Sequence, residues 1–313
     1  MAEISTPALR MLIERWGGCD YYFSEMISAG ALLAGSRWER YYLEAAPAPD
    51  KLVHQLVGSD AREIELAAGM LDEREGAGID INMGCSAPEI QRRGAGLAWM
   101  KQASAAQSLV ERVRRRVRRK RLSVKLRLGL DDSLEYLLDF CRRLEQAGCD
   151  FITIHPRTGR EKFKRLARWE YTAAVRRELS IPVVGNGDVA GWAEFKSRVQ
   201  DEASQAVMIG RAAVRAPWIF ASIRARQRDP AARLSIDLAE AAGAFLELLP
   251  ALQPPDFLES RARRFLEYFS RNLEYGHHFF NQVRNAGDFD SISSVVRRYF
   301  EEHPEYRQYV EKN

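Results

Sequence analysis

The sequence predicts an α/β protein, a (β/α)8 TIM barrel followed by a C-terminal α-helical domain, on three observations. Short β-rich runs alternate with helix-compatible stretches as far as about Arg224, the signature of a parallel sheet with helices outside it. Polar or functional groups stand at the ends of seven consecutive runs. Beyond about Arg224, strand-like alternation gives way to apolar residues at helical spacing.

The β-rich runs are Tyr21–Ile27, Leu52–Gly58, Ile79–Gly84, Leu122–Gly129, Phe151–Pro156, Pro182–Gly187 and Gln205–Gly210. The amphipathic stretches between them are Ala61–Arg74, Ala95–Val117, Ser133–Ala147, Tyr171–Glu178 and Trp192–Val199. That makes seven βα units where a closed barrel needs eight, and the chain opens on a helix-like segment, Thr6–Trp16. The expectation is that the absent unit is the first strand, an apolar run of roughly 10 residues upstream of Met1. Arg226–Pro230 reads as a linker, which places a catalytic domain at 1–228 and a helical domain at 229–313. In the latter, Leu238, Ala241, Ala242, Phe245 and Leu249 form one apolar stripe. Phe257, Arg261, Phe265, Tyr268 and Phe269 form a second, and Ile292, Val295, Val296, Tyr299 and Phe300 a third. Such stripes are packing faces of a helical bundle.

Composition narrows the class. The 313 residues are 46% hydrophobic and 29% charged with a net charge of +4, which excludes a mainly disordered chain. No apolar run approaches the roughly 18 residues of a membrane span. The four cysteines, Cys19, Cys85, Cys141 and Cys149, form no CxxC pair, so neither a zinc ribbon nor a disulfide framework is expected. A cytoplasmic enzyme without metal is the resulting expectation. Charge is unevenly spread: Glu111–Arg121 carries eight Lys/Arg on a helix-like segment. Such a run either faces phosphates or is a solvated helix face.

In a (β/α)8 enzyme the chemistry gathers where the βα loops leave the C-terminal ends of the strands. The successive ends here carry Glu25, Gln55, Asn82 with Cys85, Lys125 with Arg127, His155 with Arg157, Asn186-Gly187-Asp188, and Gly210-Arg211. Gly185, Gly187 and Gly210 are small enough for backbone N–H groups to approach an anion, and Arg211 adds a forked cation. These last two ends therefore read as a phosphate site. Lys125 and Arg127 share one side of their strand, and a cation inside a barrel needs an anionic partner, either a reduced flavin or a barrel carboxylate. Cys85, just past a strand end and close to the Asn82 amide, is placed to give or take a proton. His155 reads either as a flavin contact or as a hydrogen-bonded histidine of the rim.

The run IDINMGC, followed by VKLRLG, IHPRTG, VVGNGD and MIGRAAVRAPWIF, resembles the tRNA-dihydrouridine synthase family in order and spacing. The opening MAEISTPALR, the segment EMISA and the tail from Gly276 to Asn285 are similar to that family too, so the likeness covers nearly the whole chain. The resemblance implies FMN as cofactor, NADPH as reductant and a tRNA uridine as substrate. It makes Cys85 the acid that protonates uracil C5, with Asn82 and Arg157 on the substrate side. Gln55, Lys125 and His155 fall against the isoalloxazine, Met1 and Ala2 near the flavin ring, and Asn186, Gly187, Asp188, Gly210 and Arg211 on the ribityl phosphate. Neither a membrane nor a protein partner is implied. Three departures stand out. Ser86 occupies the family's usual proline after the cysteine and would loosen that loop. Phe163-Lys164-Arg165 precede Trp169 in an altered loop, and Met1 falls inside the Pro-Met-Ala motif. Alternative readings are an FMN barrel acting on a free pyrimidine-like molecule, and a tRNA-binding relative without turnover.

Overall fold

The computed structural model describes residues 3–161, 165–200 and 203–311. By its contacts the chain divides into two units, residues 21–209 and residues 1–20 with 210–313.

The larger unit is built on seven parallel strands: β1 (Tyr22–Ser28), β2 (Leu52–Val57), β3 (Gly78–Met83), β4 (Arg121–Arg127), β5 (Phe151–His155), β6 (Val183–Asn186) and β7 (Ala206–Met208). They hydrogen-bond in strict sequence order, β1 through β7. Each strand thus lies beside the next in the chain, the topology of a TIM-type sheet. All seven fall on the β-rich runs read from the sequence, within one residue at their starts. The helices that follow them are α4 (Ala61–Asp72), α6 (Ala103–Arg116), α7 (Leu134–Gln146), α8 (Trp169–Glu178) and α9 (Trp192–Gln200). The stretch Ala95–Val117 resolves into a 3-10 turn, Gly96–Lys101, ahead of α6. Three short helices escape the sequence reading: α2 (Ala29–Leu33), α3 (Glu39–Tyr42) and α5 (Pro88–Arg92). At four or five residues they are too short to show a helical period.

Local chemistry starts the longer helices where they start. The Asp60 carboxylate accepts from the amides of Arg62 and Glu63 at the head of α4, and Ser133 Oγ accepts from Tyr136 N at the head of α7; each satisfies amides that the helix cannot. One face of the sheet is apolar and packs on the helices. Leu56, Ile81, Met83, Val124, Leu126, Ile152, Ile154 and Val183 join Ile64, Leu71, Leu109, Val113, Phe140 and Leu144 in one buried cluster. Because side chains alternate along a strand, Gln55, Asp80, Asn82, Ser123, Lys125, Thr153 and His155 fall on the other face.

The second unit contains α1 (Pro7–Arg15), α10 (Arg211–Arg215), α11 (Ile219–Arg228), α12 (Leu238–Leu252), α13 (Leu258–Phe269), α14 (Gly276–Asn285) and α15 (Phe289–Glu302). Its core stacks rings: Phe245 on Phe265 at 3.9 Å between centroids, Phe265 on Phe269 at 5.4 Å, and Phe279 against Tyr299 at 4.8 Å. The division differs from the expected break after Arg228. Arg15 pairs with Glu240 at 2.9 Å and Trp16 meets the ring of Trp218 at 5.8 Å, so the first helix belongs with the C-terminal helices. A second difference is a two-stranded antiparallel pair, β8 (Ser235–Asp237) with β9 (Gln308–Val310), in a region read as wholly helical. Three-residue strands carry no readable alternation. Among the described residues no helix is long and apolar enough to cross a membrane.

Candidate active site

The polar face of the sheet carries a directed chain of hydrogen bonds. Asn82 Oδ1 accepts from the backbone N–H of Gly84 at 3.1 Å and of Cys85 at 2.9 Å. Asn82 Nδ2 donates to Gln55 Oε1 at 2.9 Å, and Gln55 Nε2 donates to Asp80 Oδ2 at 2.8 Å. The other oxygen of Asp80 accepts from Ser123 Oγ at 2.6 Å. Alongside, Lys125 Nζ reaches over β5 to donate to Asn186 Oδ1 at 3.0 Å, while Asn186 Nδ2 donates to the carbonyl of Met208 at 2.8 Å. Four of the predicted residues, Gln55, Asn82, Lys125 and Asn186, therefore hold fixed orientations on one face.

Cys85 is the half-buried member of the four thiols, the other three being buried. Its turn is anchored from several sides. Besides the Asn82 contacts, Cys85 O accepts from Leu97 N at 3.0 Å, Ser86 O accepts from Gln91 Nε2 at 3.0 Å, and Gly84 O accepts from Arg127 Nε at 3.1 Å. The loop expected to loosen without its proline is thus held by other bonds. Gly96 has a φ of 61°, and a Cβ there would stand 2.7 Å from Cys85 O. Only glycine allows this approach.

Electrostatics follow burial. Asp80 is fully buried and its carboxyl is pushed up to about 6, burial outweighing the bonds from Ser123 and Gln55 and the nearby Lys125. Lys125 is pulled down to about 8, again by burial first, with the charge of Asp80 opposing. A lysine in this state favours an added negative neighbour. Of the two partners read from the sequence for Lys125, the barrel carboxylate has a counterpart in Asp80.

The next two strand ends are built as frame. Arg157 is almost wholly buried, and its guanidinium meets Asp188 Oδ2, the carbonyl of Arg165 and His155 Nε2, the last at 2.9 Å. Asp188 Oδ2 also accepts from Ala167 N at 2.7 Å. The structure thus places Arg157, expected on the substrate, among three protein partners. Gly187 has a φ of 129° and Asp188 one of 53°, a turn with two successive positive φ values. A Cβ at Gly187 would lie 3.0 Å from Ala167 Cβ and 3.2 Å from His155 Cδ2.

Gly185 corrects an expectation. Read as clearance for an anion, it instead faces the ring of Trp169, where a Cβ would stand 2.0 Å from Cζ3. Trp169 is held by its Nε1 donating to Gly187 O at 3.1 Å. Gly185→Ala is accordingly expected to destabilise the protein by about 3 kcal/mol, the upper range for overpacking, measured by denaturant unfolding against wild type.

Gly210 and Arg211 belong to the second unit, where they open α10. Met1 and Ala2, expected near a flavin ring, lie outside the described residues, as do Phe163 and Lys164. The basic run of Glu111–Arg121 sits at the N-terminal end of the strands, the opposite end from Cys85. It leads into the start of β4, about 20 Å along that strand from its C-terminal end. There Arg112 pairs with Glu65 at 2.7 Å, Arg114 with Asp150 at 3.0 Å and Arg119 with Glu73 at 2.5 Å. The Asp72 carboxylate accepts from the amides of Arg118, Arg119 and Lys120. Sequence reasoning missed Asp80 and Ser123 as members of the site; the period of two from Asn82 and Lys125 was the available signal. Among the described residues no group of three His, Cys, Asp or Glu is placed to hold a metal ion.

Comparison with known proteins adds the following. The sequence matches the dihydrouridine synthase family over residues 1–303. It is 33% identical over 228 residues to a probable tRNA-dihydrouridine synthase of Rhodobacter capsulatus, covering 72% of this chain and 69% of that protein. It is 28% identical over 309 residues to tRNA-dihydrouridine synthase B of Pseudomonas aeruginosa, covering 96% and 91%. In fold, it is similar to a 2-naphthoyl-CoA reductase (TM-score 0.52, 12% identity, 69% of this chain and 46% of that one). It is likewise similar to histamine dehydrogenase of Rhizobium sp. 4-9 (TM-score 0.52, 12% identity, 78% and 47%). With the strand order, the cysteine turn and a match along nearly all of its length, the chain belongs to the dihydrouridine synthase family.

Proposed function

We propose that this protein reduces the C5–C6 bond of a uridine in tRNA to 5,6-dihydrouridine, with FMN as cofactor and NADPH as reductant. The observation that carries the reading is the pairing, on one face and at adjacent strand ends, of the Asn82–Cys85 turn with the Lys125–Asn186 bond. The residues present fit a flavin. Thr153 Oγ1 is buried with no hydrogen-bond partner among the described residues, on the strand beside Lys125. Lys125 donates to the neutral amide of Asn186 and would gain from an added negative neighbour, and the phosphate is assigned to the Asn186-Gly187-Asp188 turn.

FMN, when bound, supplies the hydride that adds to uracil C6. The remaining half of the reaction belongs to this chain. Cys85 Sγ holds the proton that goes to C5, on a turn whose two amides are gripped by Asn82. The second N–H of Asn82 Nδ2, beyond its bond to Gln55, is left for a carbonyl of the base. Lys125 and the second N–H of Gln55 Nε2 bind the polar edge of the isoalloxazine, with His155 beside them, while Arg157 holds Asp188 and the turn that carries it. A uracil inside folded tRNA must leave its stack to reach a group at this depth, and structured RNA is held by shape and phosphate contacts. The helical unit takes that part of the reading, and the Arg112–Arg121 run has none in it.

The test is direct. Purified protein incubated with NADPH and unmodified tRNA transcript should carry bound yellow flavin, bleach it with NADPH, and form dihydrouridine detectable by nucleoside mass spectrometry. Reoxidation of the NADPH-bleached flavin by free uridine or orotate, and none by tRNA, would replace this reading with that of a small-molecule reductase.

A further inference from the structure

The polar chain on the sheet has a direction, and Asp80 sets it. Backbone N–H groups at Gly84 and Cys85 can only donate, so Asn82 must turn its oxygen to them and its Nδ2 away. At the far end an ionised carboxylate can only accept, so Gln55 must turn Nε2 to Asp80 and Oε1 to Asn82. Either amide flipped would set donor against donor or oxygen against oxygen. Two ends of opposite demand thus hold two amides in one arrangement, and the arrangement ends on the turn that carries Cys85. Asp80 is fully buried, with Ser123 closing its second oxygen. A buried acid is costly unless it is bonded in this way, and a site that positions a proton donor is a reason to retain one.

We infer that Asp80 is a positioning residue of the site: its carboxylate fixes the side-chain amides of Gln55 and Asn82, and through them the backbone turn that presents the Cys85 thiol. The inference deepens the proposed reaction and rests on Cys85 being its proton donor. Asp80→Ala removes the acceptor and leaves the Gln55 amide free to turn, so Asn82 loses its second anchor. Asp80→Asn keeps the volume and an oxygen for Gln55, with its amide facing Ser123 Oγ, which can accept instead.

Two readouts test this. The first is the rate at which iodoacetamide alkylates the ligand-free native protein, which reports Cys85 because the other three thiols are buried. The second is kcat for dihydrouridine formation per flavin-loaded enzyme, well below the melting temperature. Asp80→Ala is expected to change the alkylation rate about threefold or more and to lower kcat about 10- to 100-fold, the scale of a misplaced reacting group. Asp80→Asn should recover most of both. Ile79→Val, on the helix-packed face of the same strand, should lower the melting temperature and move neither readout. If Asp80→Ala fails to fold, Gln55→Met breaks the next link and should give the same two effects. Wild-type alkylation and kcat in the folded variant would overturn the inference, as would Ile79→Val reproducing its losses. If wild-type protein forms no dihydrouridine, the proposed reaction fails, and the alkylation series alone decides whether Asp80 positions the thiol.

Discussion

Cys85→Ala is expected to keep its flavin and its bleaching by NADPH while dihydrouridine formation falls by about 10²-fold or more, the contribution of one positioned general acid. The split follows from geometry. The thiol stands on a turn anchored by Asn82, Leu97 and Arg127, whereas the side chains assigned to the isoalloxazine, Gln55, Lys125 and His155, lie on β2, β4 and β5 and make no bond to the sulfur among those described. Removing one sulfur from a half-buried position leaves those bonds in place. Rapid-mixing measurement of flavin bleaching, beside nucleoside analysis of the tRNA, separates the two halves. An Ala variant that makes dihydrouridine at the wild-type rate would transfer the proton donor's role elsewhere.

Lys125→Met should weaken FMN binding roughly 30-fold, about 2 kcal/mol for a hydrogen bond to a charged group. The same residue sets a pH dependence. Burial lowers its pKa from 10.5 to about 8, so below that pH the ammonium is present to give a charge-assisted hydrogen bond to the flavin's acceptor edge, and above it the proton is lost. FMN affinity is therefore expected to fall as pH rises through about 8 in the wild type, and to lose that dependence in the Met variant. Quenching of flavin fluorescence, titrated from pH 6 to about 9.5, measures both. Equal affinity in the two proteins across the range would remove Lys125 from the flavin's surroundings.

Much of the architecture was legible because each strand of a parallel sheet under helices is a short apolar run punctuated by glycine or proline. Ile79–Gly84 and Phe151–Pro156 both announce themselves in this way, and β3 and β5 stand there. Candidate positions were legible for a related reason. Asn82, Lys125, His155 and Asn186 are polar residues at run ends, where burial in an apolar layer would be costly, so their presence already asks for a partner.

What the sequence by itself determined is the class, the order of the strands' residues and the set of polar groups that one face collects, all consequences of periods two and 3.6 read along the chain. Direction and partnership were decided only by the tertiary structure. Arg157 was expected beside the substrate, and its guanidinium is buried against Asp188 and His155. Gly185 looked like clearance for an anion and makes room for Trp169. The basic run left phosphates or solvent open, and Arg112, Arg114 and Arg119 pair with Glu65, Asp150 and Glu73 at the N-terminal end of the strands. Asp80 carried no signal of its role beyond its place two residues before Asn82. Each of these depends on a residue distant in sequence, and a period along one chain does not encode which side chain from another strand or loop stands opposite.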